Sequence, residues 1–260
     1  MAPKKLHDYV SRDKKPSPLG KSIFASLRVV DVFWQYHLLS RGWGLEFIKT
    51  LGGHPVSFSQ VWSHAGNHLQ PYYCLIWLLS FGSTLKQLAT IVLITEQAFP
   101  VSTALFVPAF NTLCNSANTL LSLWALASPA PESDSIMDIL QKPVLVIGLG
   151  LYVIGILTEA VSEFQRKSFK QDPANKGKPY GGGLFSLATN INYGGYTLWR
   201  AGYALVAGGW PWGILTFGFF FNDFASRGVP VMDEYLVGRY GEAYTEIKAR
   251  VKYSLFPGIY

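Results

Sequence analysis

Charge is what this sequence has least of. Only 15% of its 260 residues are Asp, Glu, Lys or Arg, against 49% hydrophobic residues and 15% aromatics. Soluble domains carry about a quarter charged residues, so the balance argues against an ordinary soluble domain and for a membrane protein. Cysteine is equally scarce. Cys74 and Cys114 both lie inside apolar runs, where they act as small hydrophobes, which excludes a disulfide framework and a cysteine-based metal site. No low-complexity tract, internal repeat or long Pro/Ser linker divides the chain. The first twenty residues lack an apolar stretch followed by a small-residue cleavage site, so the N-terminus is expected to be retained and cytosolic.

Long apolar runs are what the sequence has instead. The clearest are 71–95, 102–128, 143–158 with an amphipathic extension, and 198–221, each near the ~20 residues that cross a ~30 Å hydrocarbon layer. A fifth, 22–39, is aromatic but carries Arg28, Asp31 and His37, so it either spans within a bundle or lies along the interface. The expected fold is an all-α, polytopic transmembrane bundle of roughly five to seven spans. A basic segment, 1–21, precedes a single membrane domain, 22–260.

The net charge of +6 is gathered in clusters at Lys4-Lys5, Arg12-Asp13-Lys14-Lys15, 166–170, Lys176-Gly177-Lys178 and 248–252. Beside apolar spans such clusters point to cytosolic orientation and contact with anionic lipid rather than to nucleic acid.

Polar residues inside apolar runs need partners. Asn111, Asn115, Asn118 and Ser122 recur at i, i+4, i+7 and i+11, one stripe of a helix, which should face the protein interior because lipid satisfies no amide. Such a stripe either glues helices, at about 1 kcal/mol per contact, or lines a substrate cavity. Lys86 interrupts the second run near its middle, so either a turn around Phe81-Gly82-Ser83-Thr84 divides it into two shorter segments, the favoured reading, or the lysine meets a carboxylate or phosphate. Glu159, Glu163, Arg166 and Lys170 also share one helical face, at the end of the third run. His64 and His68 have the i, i+4 spacing of a shared metal, but no third ligand lies nearby in sequence, so no metal site is expected. Gly181-Gly182-Gly183 is a permissive turn, with no preceding strand to make it a dinucleotide fingerprint.

Taken in order, Glu159, Glu163-Phe164-Gln165-Arg166-Lys167, Phe169-Lys170, a loop with Lys176 and Lys178, Gly182-Gly183-Leu184-Phe185, Asn192-Tyr193-x-Gly195 and Gly202-Tyr203-Ala204-Leu205 resemble the C-terminal half of the steroid 5-alpha-reductase family. The polar tail is expected to be helical from Pro230 to Val251 and cytosolic. With Asp233-Glu234-Tyr235-Leu236, Arg239-Tyr240-Gly241 and Phe256-Pro257-Gly258-Ile259-Tyr260, it is similar to that family and to the sterol C=C reductases. The resemblance implies that 143–260 is a cofactor half and the divergent 22–142 a substrate half. It implies NADPH held by Glu159, Glu163, Lys170, Lys178, Asn192, Tyr193 and Tyr235. Ammonium groups would meet phosphates, carboxylates would accept ribose hydroxyl protons, and the Asn192 amide would pair with the nicotinamide carboxamide. It also implies an integral membrane location, the endoplasmic reticulum in a eukaryote. The pattern departs from the family at two positions: Tyr196 stands where a Glu is expected, and Arg200 where an aromatic is.

The expectation is therefore an NADPH-dependent reductase that saturates a C=C bond of a steroid, sterol or terpenoid-like lipid. The alternatives are a non-redox isomerase or cyclase whose cavity is lined by Asn111, Asn115 and Asn118, an S-adenosylmethionine-dependent methyltransferase, since isoprenylcysteine methyltransferases share the overall Asn/Pro-Tyr and C-terminal pattern although their Arg-His-Pro is missing here, and a non-catalytic membrane scaffold.

Overall fold

A computed structural model describes residues 11–63, 66–131 and 135–260. Lys4, Lys5 and His64 lie outside them. About three quarters of the described residues are helical. Prolines open several helices, because a first-turn position needs no N–H and the ring presets φ. They begin α1 (Pro18–Ser40), α4 (Pro71–Ala89) and α7 (Pro143–Gln171). The remaining helices are α2 (Trp43–Thr50), α3 (Phe58–Val61), α5 (Val101–Leu123), α6 (Ile136–Gln141), α8 (Ile191–Asp223), α9 (Val229–Tyr240) and α10 (Glu242–Arg250). Two-residue strands β1 (Trp62–Ser63) and β2 (His68–Leu69) pair antiparallel.

Among the described residues, three stretches are long and apolar enough to cross a membrane: Pro71–Ile94, Pro143–Gln171 and Ile191–Tyr240. The runs at 22–39 and 102–128 do form the 23-residue helices α1 and α5. Neither is among the three, since charged or amide side chains dilute their apolar character.

Two expectations about helix boundaries are corrected. The run containing Lys86 is not broken at Phe81-Gly82-Ser83-Thr84: α4 continues through it and passes into a π-helical turn at Thr90–Ile94. Ser83 caps its hydroxyl on the Ser80 carbonyl at 2.8 Å, and Ser80, Ser83 and Thr84 are buried, so these polar residues face protein and leave the helix intact. The C-terminal helix is not continuous from Pro230 to Val251. It breaks at Gly241, whose φ of +55° is left-handed backbone that no helix interior contains.

The chain packs as two compact units. One comprises 12–152 and 201–216, the other 153–200 and 217–260 together with Ser11. In the first, α1, α2, α4 and α5 pack together, with Phe24, Ile91 and Ala104 in one apolar cluster. Its centre is polar. Arg28 Nη1 donates to Asp31 Oδ2 at 2.6 Å with both side chains fully buried, and Arg28 Nη2 reaches Thr84 Oγ1 at 2.6 Å. Gln35 donates to Asp31 Oδ1 at 2.8 Å and Asn115 to Asp31 Oδ2 at 2.8 Å. Asn115 also reaches Ser80, and Thr119 donates to Gln35.

In the second unit, Val229, Leu255 and Phe256 form an apolar cluster with Tyr193, Phe217, Phe221 and Phe224 around them. The tail is clamped there: the backbone N–H groups of Ser254, Leu255 and Phe256 all donate to the Tyr260 carbonyl. Tyr244 is buried and donates to Asp233 Oδ1 at 2.7 Å, and burial together with that carboxylate pushes its phenol above the usual range.

Candidate functional site

Small residues build the site. In the second unit, a Cβ on Gly155 would stand 2.4 Å from the Trp199 nitrogen, and one on Gly195 would stand 2.7 Å from the Glu159 nitrogen. The backbones of α7 and α8 therefore touch here, as small-residue pairs permit in apolar helices. That approach brings two carboxylates one turn apart on α7 against the face of α8 that carries Asn192, Tyr196 and Trp199.

Glu159 Oε2 accepts the Trp199 indole N–H at 2.8 Å, and Glu163 Oε1 accepts the Asn192 amide at 2.7 Å. Arg166 donates to Glu163 Oε2. The Glu163 side chain is 12% exposed and that of Arg166 is 40% exposed, so this pair opens toward solvent. Trp199 and Arg200 are buried. The Arg200 guanidinium lies over the Trp199 ring at 4.4 Å, and its Nε donates to the Tyr196 hydroxyl at 3.0 Å. The two departures from the reductase pattern are thus in contact with each other. Tyr193 stacks on Phe224, with centroids 4.6 Å apart and planes within 9°.

The glycine run closes against the same helix. Gly183 has a φ of +53°, and a Cβ there would stand 2.3 Å from Gln165 Oε1; Leu184 N–H donates to that oxygen at 2.9 Å. Lys170 and Lys178 lie on an exposed surface, where the Lys170 ammonium donates to the Lys178 carbonyl and to the Tyr240 hydroxyl at 3.0 Å. Tyr235 accepts a hydrogen bond from Arg239 one turn on.

Of the residues named from sequence, Glu159, Glu163 and Asn192 come together in one cluster. Lys170 and Lys178 form a second group, while Tyr193 and Tyr235 each pair with other partners. Asn111, Asn115 and Asn118 are buried in the first unit, and each amide spans helices: Gln87 donates to Asn111 at 2.8 Å, Trp212 donates to Asn118 at 2.6 Å, and Asn115 serves Asp31 and Ser80. Among the described residues no group of three metal-ligating side chains occurs. The sequence marks Tyr196 and Arg200 only as departures from the family pattern and does not single out Trp199, although 192, 196 and 199 follow the i, i+4, i+7 spacing of a helical face.

The family described as "Protein of unknown function (DUF1295)" matches residues 93–251. A protein of Ustilaginoidea virens named "Probable O-methyltransferase ustE" is 36% identical over 241 residues, covering 90% of this chain and 84% of the relative. No solved structure matches the chain.

Proposed function

We propose a reaction class from one premise: the chain belongs to the family described as "Protein of unknown function (DUF1295)". It is a membrane-associated enzyme that transfers a methyl group from S-adenosylmethionine to a hydroxyl of a hydrophobic small molecule. The observation that carries this reading is the likeness, over nearly the whole chain, to a protein named as an O-methyltransferase. The contact between Tyr196 and Arg200 supports it from the side of geometry. Where a C=C reductase of the resembled family carries Glu, this site carries a phenol bonded to a guanidinium.

The donor and acceptor set fits such a cofactor. When bound, S-adenosylmethionine supplies an electrophilic methyl group on a sulfonium sulfur. Glu159 and Glu163 offer carboxylate oxygens for ribose hydroxyls and an ammonium group, and both are oriented by neutral N–H donors on α8. Arg166, half-exposed at the mouth, offers a guanidinium for a carboxylate. The aromatic faces of Tyr193, Tyr196 and Phe224 exclude water and suit a cation.

A second reading keeps NADPH and reduction of a C=C bond. One observation favours it: Lys170 and Lys178 lie side by side on an exposed surface, as a phosphate arm requires. Titration of the detergent-purified protein with S-adenosylmethionine, S-adenosylhomocysteine, NADPH and NADH separates the two. The methyl-transfer reading expects saturable binding of the first two, and methyl label from the cofactor appearing on 1-naphthol. Binding of NADPH with neither sulfur compound would overturn it.

A further inference from the structure

A cleft of about 490 Å³ lies beside α2 in the first unit, within the ~300–1,000 Å³ of small-molecule pockets. Arg41, Lys49 and His54, all exposed, line it together with Glu46. Its frame is fixed. A Cβ on Gly44 would stand 2.5 Å from Leu123 Cδ1, so α2 is seated against the end of α5. The loop after α2 is held to the same end, because Val56 N–H donates to the Leu123 carbonyl at 2.9 Å and Ala125 N–H to the His54 carbonyl at 3.1 Å. Neither Arg41 nor Lys49 belongs to the basic clusters of the sequence; the fold gathers them.

Two features of α2 decide what the cleft suits. The first is charge. The Lys49 ammonium gives one of its three protons to Glu46, at 2.7 Å, and keeps two, while the Arg41 guanidinium is a planar fork that matches phosphate oxygens. The second is an apolar ridge on the neighbouring face. Trp43, Phe47 and Leu51 recur at i, i+4 and i+8, and are 50%, 49% and 71% exposed. Ring contacts set its level. Trp43 lies 6.1 Å from Trp34 and 5.4 Å from His37, just past Val30 and Phe33, which expose apolar surface along α1. Tryptophans gathered at the end of an apolar helix surface mark the headgroup level of a membrane, where a short amphipathic helix lies flat. We propose that the cleft holds the phosphate of one bound phospholipid, whose acyl chains run along Trp43 and Phe47. A free anion would leave the ridge unused, and an uncharged lipid would leave the cations unmatched.

The site does not depend on the methyl-transfer reading. The test is native mass spectrometry of the full-length protein in dodecylmaltoside, titrated with dioleoylphosphatidylglycerol. Three probes run beside it: dioleoylglycerol, which lacks the phosphate, glycerophosphoglycerol, which lacks the chains, and inorganic phosphate. The expected result is one saturable phospholipid adduct, with none of the three probes retained at the same concentration. Arg41→Gln combined with Lys49→Gln should weaken the adduct about tenfold, since each exposed cation contributes modestly. Trp43→Ser should weaken it about threefold by shortening the ridge. If the double variant does not fold, His54→Glu sets a carboxylate in the same cleft from the loop and should have the same effect. Dioleoylglycerol retained as well as the phospholipid would overturn the phosphate contact. Glycerophosphoglycerol or inorganic phosphate bound as tightly would make the cleft a plain anion site and overturn the role of the ridge. Adducts that accumulate without saturation, or that persist unchanged in the charge variants, overturn the proposal outright.

Discussion

Asp31 and Glu163 are built from the same parts and end in different conditions. Each is a carboxylate on a long helix, with an arginine three residues away in sequence and an asparagine donating from another helix. Asp31 takes Arg28, Gln35 and Asn115 at once, and neither it nor Arg28 exposes any side-chain surface. Glu163 has Arg166 and Asn192, with both members of its ion pair partly open to solvent. Burial without partners would be costly at Asp31, so its ion pair and amides are extended by Thr84, Ser80 and Thr119, all of them buried. Glu163 keeps capacity for another molecule. The same chemistry thus makes glue where it is dry and leaves a candidate site where an edge is open.

The sharpest way to break this comparison is to remove each carboxylate. Asp31→Ala leaves Arg28 buried without its counter-ion and should cost about 3–5 kcal/mol, read as a collapse in the thermal midpoint of the purified protein. Replacing both, as Asp31→Leu with Arg28→Met, should restore most of the loss. A single-variant loss under about 1 kcal/mol would mean that the network contributes nothing to the fold.

Glu163→Gln should do the reverse. The amide keeps the volume but loses the charge that a cationic, hydroxyl-rich cofactor meets, so S-adenosylmethionine affinity should fall about 10- to 100-fold while the melting temperature stays within a few degrees. A stability loss as large as that of Asp31→Ala would make the second cluster structural too, and the comparison would fail.

Part of this contrast is legible in the sequence. The i, i+4, i+7 stripe of Asn111, Asn115 and Asn118 points inward because apolar surroundings leave amides no other choice, and Glu159 and Glu163 share a face by the same periodicity. The identities of the partners are not legible. Nothing in spacing alone says that Asn115 meets Asp31, 84 positions away, or that Asn192 meets Glu163 rather than a bound nucleotide. Local signals mislead where burial overrides them: Gly82, Ser83 and Thr84 read as a break, yet Ser83 and Thr84 are buried and a Cβ on Gly82 would stand 2.8 Å from the Tyr152 hydroxyl. Chemistry was hardest to read, because carboxylates and amides at one helix junction suit several cofactors equally well.

Tyr196→Phe probes the contact between the two departing positions. It deletes the hydroxyl that accepts from Arg200 Nε and keeps the ring that packs against Trp199 and Phe220. The expected cost is about 1–3 kcal/mol, because a buried guanidinium N–H loses its acceptor. A change in the product formed from 1-naphthol, with the midpoint unaltered, would instead place the Tyr196 hydroxyl on the substrate.

The smallest effect is expected at Lys178, and it bears most directly on the cofactor. Lys178 is exposed and contributes only its carbonyl to Lys170, so Lys178→Glu should change stability by less than about 0.5 kcal/mol. S-adenosylmethionine carries no phosphate, so its affinity should move less than about twofold at physiological salt, where exposed charges a Debye length apart are screened. A dinucleotide would behave otherwise: its phosphates near Lys170 and Lys178 would lose attraction and gain repulsion, and affinity would drop further as salt is lowered. A tenfold fall in NADPH affinity for Lys178→Glu, alongside unchanged Glu163→Gln binding of S-adenosylmethionine, would therefore return the site to the reductase reading.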